Sequence, residues 1–512
     1  MTDKTEHAAA SMRDKMEDNV LNPVADEERV SGWALLANTA GVGTTLAMLL
    51  VGGTASYIAG VGWAMVAAAV SAVFGSVIGT WTGQVSQSTG MSSTVSTRFH
   101  GLGARGSALA SLIFAWMILS FLALENALLY NGTLFLLGWQ PTPLNAVVIY
   151  SVLTVAWILL ALFGLKIIQI SSLWLTIVAG GLLFVILGIA VNRATQPLGE
   201  IVTQSPADFG PAAFLAVLSG MIGFAGALAL TGADFARYAR TKRDVRIMAI
   251  GGNIIVNFGV VSLGALLYQA GDTVVAEYIQ RVGNEGVAES LAGATIAEKV
   301  QFLAHTNAGA YFVILAGIIG FIVMYAAQVK AQAINAYAGS LSLSNLFDAL
   351  FQRKPSRIVM LVIGNVIAMV AVYAGILGLL GVFLGALGVA TFSLCSLVIT
   401  DYFVIRKGQP APTRRVEQFN WAGIISIVVG FGVSYGLQIS GILPIGFLLT
   451  LVITPVVYVA LRRTVLPEGA GTHMVSGTSA LLEAEEDDEE RLAFATNLED
   501  DVAVHEHRAP LP

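Results

Sequence analysis

Charge is scarce in this sequence. Only 12% of its 512 residues are Asp, Glu, Lys or Arg, where a soluble domain carries about a quarter. With 56% hydrophobic residues and a mean hydropathy of +0.75, the chain reads as a polytopic membrane protein. A single cysteine, Cys395, excludes an internal disulfide and a cysteine metal cluster. The six histidines show no metal-ligand spacing, and no HExxH, phosphate-binding loop or nucleophile elbow is present. The expectation is therefore no enzyme, no catalytic residue, no metal and no cofactor. The first 30 residues also lack an apolar core and cleavage site of a signal peptide, so the first span is expected to direct insertion itself.

What is present is a series of long apolar runs. A crossing helix needs about 20 such residues, and roughly twelve stretches satisfy that: 33–53, 61–82, 107–136, 143–164, 169–191, 211–232, 247–269, 308–342, 358–376, 379–403, 420–438 and 442–461. Runs this long and continuous are helices rather than barrel strands. The chain divides into a polar segment 1–30, a transmembrane unit 31–465 and an acidic tail 466–512, which contains EAEEDDEE (Glu483 to Glu490) and is expected to be disordered. The longest outer loop, about 271–305, is acidic with some helical character.

Basic residues orient the map. With the N-terminus inside, most Lys and Arg fall in inner loops, including Arg98, Arg105, Arg237, Arg240, Arg353, Arg357, Arg406 and Arg462. Outer loops hold only Arg193, Arg281 and Lys299. This bias is that of the positive-inside rule, and it places both termini in the cytoplasm of a cell whose plasma membrane the protein crosses. One basic residue, Lys330, is left inside a span.

Lys330 belongs to YAAQVKAQAINAYAG, Tyr325 to Gly339. Gln328, Gln332 and Asn335 stand at i, i+4 and i+7 and share one face of span eight. Such amides either read a ligand edge that alternates donors and acceptors or act as glue between helices. Lys330 points about 200° away from Gln328. A lysine inside a span must be paired or give up its proton, or snorkel to the interface. Glu125, in span three, is the carboxylate deepest within a span and a partner for it; a bundle-core hydrogen bond is the alternative. Asp234 and Asp401 close spans six and ten and are read as caps that pair with Arg237 or Arg406.

Two spans are rich in glycine. NTAGVGTT (Asn38 to Thr45) lies in span one and SGMIGFAGALALTG (Ser219 to Gly232) in span six. Weak helices at the first and sixth positions are expected of a 5+5 inverted repeat with broken helices one and six and a midplane binding site. Gly75 and Gly79 in span two read instead as close helix packing.

Several stretches in this order resemble the nucleobase:cation symporter-1 family, the purine and cytosine permeases. They are Trp33, TGMSSTVSTRFHGLGARGS (Thr89 to Ser107), GADFARYAR (Gly232 to Arg240) and INAYAGSLSLSNLF (Ile334 to Phe347). The resemblance spans about residues 31 to 460 and implies a LeuT-type fold. It further implies a planar base held among spans one, three, six and eight. Carried over, the rings are Trp116 and Phe224, the backbone contacts Gly223 and Gly226, and the amides Gln332 and Asn335. Ser120 stands where some members have Gln. Sodium-coupled members place hydroxyls on span eight where this chain has Lys330 and Ala331, so the ammonium would occupy the space of the cation.

The expected activity is secondary transport of a nucleobase or related nitrogen heterocycle by alternating access. The alternative is an amino acid or other small solute carried by the same fold. Expected partners are the lipid bilayer, the small-molecule substrate and a coupling proton or sodium ion, with no nucleic acid.

Overall fold

The computed structural model describes residues 23–282, 293–353, 355–410 and 415–478, with main chain alone for 163–176. The acidic block Glu483 to Glu490 lies outside the described residues.

The helices follow the apolar runs. Span one is Gly32–Gly43 plus Leu46–Ala59. Span two is Val61–Thr89, span three Ala108–Leu137 and span four Pro143–Leu162. Span five, Leu165–Arg193, continues from span four through a π-helical turn at Leu160–Gly164. Spans six, seven and eight are Pro211–Ala236, Lys242–Val282 and Ala308–Phe351. Span nine is Arg357–Tyr373, and spans ten to twelve are Ile376–Ile405, Trp421–Ile439 and Gly446–Arg463. All-α polytopic architecture is thus what the chain forms.

The outward faces confirm the solvent. On span nine, Val359, Val362, Ile363, Val366, Ile367 and Val370 form one exposed helical stripe. Such a stripe is tolerable against hydrocarbon and not against water. Between the helices, glycine sets the closest approaches. Gly132 and Gly309 bring spans three and eight together, with a Cβ on Gly309 falling 2.6 Å from the Gly132 Cα. Gly75 and Gly79 seat span two against Asn253 of span seven and Ala229 of span six, as their spacing led us to expect.

Span one breaks where expected. Thr44 leaves helical geometry, its hydroxyl folds back 2.8 Å to the Ala40 carbonyl, and Thr45 caps the second half. The two halves meet at 64°. Span six corrects the expectation of a second break: Pro211–Ala236 is one continuous helix. Its glycines serve close approach instead. A Cβ on Gly223 would lie 2.5 Å from the Leu384 carbonyl oxygen, and one on Gly226 would overlap the Thr391 hydroxyl. An interruption appears in span eight, where Gly317 takes φ +56° and ψ −132°. Only glycine enters that region cheaply.

Residues 466–478, assigned to the tail from the sequence, are ordered. Met474–Val475 pairs antiparallel with Val416–Glu417, and the Gly477 carbonyl accepts from Arg98 at 3.1 Å. At this arginine-rich end, Arg98 meets Asp348 at 2.6 Å. Asp401 takes His100 at 2.9 Å, Arg406 at 3.0 Å and the Tyr458 hydroxyl at 2.5 Å. Arg462 holds Glu417 through both guanidinium nitrogens at 2.8 and 2.9 Å. Asp234 caps the short helix Ser93–Phe99 by accepting the Ser93 N–H at 2.6 Å.

Candidate functional site

The break in span one faces spans three and eight, and three buried polar side chains meet there. Glu125, 1% exposed, accepts a hydrogen bond from the Gln328 amide. The Thr45 hydroxyl and the Ala47 N–H face it from span one. The carboxylate therefore sits against the first turn of Leu46–Ala59, where the helix dipole and unpaired N–H groups favour an anion. Among the described residues no ion pair involves Glu125. The oxygen of that amide, Gln328 Oε1, is buried without a partner.

Of the remaining amides of the stripe, Gln332 binds span three and Asn335 supports it. Gln332 donates to the Leu122 carbonyl at 3.1 Å and to Asn126 Oδ1 at 2.8 Å. Asn335 donates to Gln332 Oε1 at 3.2 Å, and the Trp157 indole of span four reaches Asn126 at 2.8 Å. Both the NH2 and the oxygen of the Gln332 amide are thus engaged, and the stripe holds spans three and eight together. Of the two readings offered by the sequence, this arrangement is that of glue. A ligand would reach Gln332 or Asn335 only by exchanging one of these bonds.

Lys330 is 2% exposed and does not meet Glu125. Its ammonium donates to the Ala37 carbonyl, in the first half of span one, at 3.4 Å. The lysine thus tethers span eight to the backbone of span one.

One turn before Glu125 on span three, about 6 Å along the axis, a cluster of rings begins. Phe121 lies 5.2 Å from Phe224 of span six and 5.4 Å from Phe383 of span ten. Trp116 meets Phe383 edge-on at 5.2 Å and is 38% exposed. Ser120 is buried beside them in sequence. Trp116 and Phe224 are therefore joined through Phe383 and Phe121. Phe121 and Phe383 were missed. Phenylalanine is common in apolar spans, and nothing in its spacing separates these two from core residues. Gly223 and Gly226 both face span ten, as shown above, where span six packs too closely for a Cβ.

At the end of spans one, seven and eight away from the arginines, Asp272 accepts from Tyr57 at 2.5 Å and from Tyr311 at 2.9 Å. Tyr311 stacks on Tyr268 with centroids 4.5 Å apart. This cluster ties the second half of span one to spans seven and eight. Extending span seven to Val282 brings Asp272 into it; the sequence reading ended that span at 269.

No family model and no curated protein matches the sequence. Solved structures do. Mhp1, a nucleobase-cation-symport-1 family transporter, in a closed conformation with bromovinylhydantoin bound, superposes with a TM-score of 0.63 at 16% identity, over 88% of this chain and 95% of that one. Its inward-facing conformation gives 0.64 at 17% identity, over 88% and 94%. A substrate-bound, outward-open Na+-coupled sialic acid symporter gives 0.57 at 14% identity, over 91% and 95%. At these identities the likeness establishes architecture, and the chain has the LeuT-type fold of these symporters, an all-α membrane protein with its first span broken.

Proposed function

We propose that the protein is a secondary active transporter for a nucleobase or a related small nitrogen heterocycle, and a member of the nucleobase:cation symporter-1 family. It works by alternating access, with the arginine-rich end and both termini in the cytoplasm and the chain in the plasma membrane. The observation that carries this reading is the ring cluster of spans three, six and ten, placed one turn from the break in span one. Flat rings stack on a flat heterocycle, and a broken helix exposes backbone groups that read its polar edge. Substrate would lie against Trp116, Ser120, Phe121 and Phe224, with Gln332 and Asn335 on its amide side. The fold shared with a transporter of that family supports the same substrate class.

Lys330 stands in for a bound sodium. Sodium needs several oxygen ligands, and an ammonium bonded to the Ala37 carbonyl both fills and repels that site. The coupling ion is accordingly a proton.

The test is uptake of radiolabelled cytosine, uracil, adenine, hypoxanthine, allantoin and several amino acids into proteoliposomes, with sodium and pH gradients imposed separately. Uptake of a base that follows pH and ignores sodium is the expected result. Sodium-driven uptake would remove the role given to Lys330. Transport of an amino acid and of no base would leave the fold and overturn the substrate class.

A further inference from the structure

Four features of the Glu125 site belong together. The carboxylate is buried, no cation among the described residues is paired with it, it faces the first turn of a half-helix, and the amide beside it has a buried oxygen with no partner. An acid buried in the membrane without a counter-ion is functional by default. The orphan oxygen shows what function this geometry serves.

In the ionised form, Glu125 can only accept, so Gln328 must turn its NH2 toward it, and Gln328 Oε1 is left bare. A protonated Glu125 gains one donor. Rotating the Gln328 amide by half a turn then presents Oε1 to the carboxylic O–H, so the orphan oxygen gains a partner and the open position passes to the amide NH2. The oxygen and nitrogen of an amide are nearly the same size, so the rotation needs no repacking.

We propose that Glu125 is the site where the coupling proton binds, and that Gln328 is its switch. The idea rests on the transporter reading above and names the group that carries the ion. With the proton off, three donors from spans one and eight converge on one carboxylate. The charge-assisted bond from Gln328 is about twice as strong as a neutral one, and the Ala47 N–H that faces the charge belongs to the outer half of span one. The ionised site therefore clamps that half-helix to spans three and eight. Proton binding neutralises the carboxylate, weakens its hold on the helix end, and frees the outer half to hinge at Thr44 and Thr45. Because the ring cluster lies one turn away on span three, the same hinge opens or closes the substrate site. One proton enters from the acidic side as a carboxylic O–H and leaves as the carboxylate re-forms on the other side.

Among the described residues, no charged group is paired with Glu125. The groups facing it are Thr45 and Ala47 from span one, and Gln328 from span eight. The neighbouring Asn126 takes the Trp157 indole of span four. Lys330 is committed to the Ala37 carbonyl.

The experiment compares wild-type protein, Glu125→Gln and Glu125→Asp in proteoliposomes, using whichever base of the panel the wild type moves. In Glu125→Gln, accumulation driven by a pH gradient is expected to fall by about tenfold or more, and the remaining uptake to become flat across pH. Exchange of labelled for unlabelled base is expected to fall much less. Should Glu125→Gln not be recovered folded, the pH midpoint of uptake decides: a displaced midpoint in Glu125→Asp supports the assignment, and an unchanged one overturns it. Accumulation by Glu125→Gln that still follows pH as in the wild type also overturns it. A wild type that moves no member of the panel refutes the transporter reading itself, whereas base transport blind to pH spares that reading and removes Glu125 from it.

Discussion

At the arginine-rich end, Asp348, Asp401 and Glu417 each meet an arginine within 3.0 Å. Midway along spans three and eight, Glu125 and Lys330 are equally buried and meet only neutral groups. Burial is the same and the partners differ. A buried charge held by an opposite charge is fixed in one protonation state, so those pairs serve as fastenings between loops and helix ends. Arg98 shows it well: one guanidinium joins the loop after span two, the end of span eight and the returning C-terminal segment. A charge held only by amides, a hydroxyl and carbonyls keeps the option of losing or gaining its proton. The two regions therefore divide the work, one fastening the fold and the other left free to change state.

The largest effect comes from breaking a fastening. Asp348→Ala leaves Arg98, 3% exposed as a residue, without its counter-ion. Removing one member of a buried pair costs about 3–5 kcal/mol. Thermal denaturation of the purified protein in detergent is expected to show a markedly lower midpoint and less folded material. Replacing both members together, Arg98→Met with Asp348→Leu, is expected to recover much of the loss, because no orphan charge remains. If Asp348→Ala melts as the wild type does, the pair is not a fastening and the division drawn above fails.

That pair was only half legible in the sequence. Arg98 was counted as an inner positive charge, but Asp348 fell beyond the expected end of span eight at 342. The serines there disguised a helix. Ser342 and Ser344 turn their hydroxyls back to the Ala338 and Ser340 carbonyls at 3.0 and 2.8 Å, which hides their polarity and lets the helix run to Phe351. The long apolar runs and the break at Thr44 and Thr45 could be read, because hydrocarbon length and glycine content are local properties. The continuous helix of span six could not, because glycine permits either unwinding or close approach, and the choice depends on Leu384 and Thr391 of span ten. For the same reason the spacing of Gln328, Gln332 and Asn335 revealed one polar face, while the partners across it came only from the fold.

Replacing the lysine sharpens the comparison from the other side. Lys330→Met removes a desolvated charge whose one described bond is 3.4 Å long. Its stability cost is expected to stay within about 1 kcal/mol, since removing a poorly compensated buried charge relieves its desolvation penalty. Transport is expected to fall by about tenfold or more, because the tether between span eight and span one is lost. Uptake by Lys330→Met at the wild-type rate would reduce the lysine to a structural residue like those at the arginine-rich end.

The smallest effect tests the ring cluster. Phe224 is 3% exposed, so truncating it would remove core packing and binding surface together and leave the two inseparable. Trp116 is 38% exposed and touches the cluster at one edge, through Phe383. Trp116→Ala is therefore expected to leave the melting midpoint close to that of the wild type. A ring contact contributes about 0.5–1.5 kcal/mol beyond the area it covers, which corresponds to about a twofold to tenfold rise in the substrate concentration for half-maximal uptake. Trp116→Phe keeps a flat ring and is expected to lose less. A rise with alanine that phenylalanine reverses identifies stacking on a planar substrate. Equal loss in both would mean that the indole N–H, rather than the ring face, meets the substrate, and no loss in either would move the binding surface away from span three.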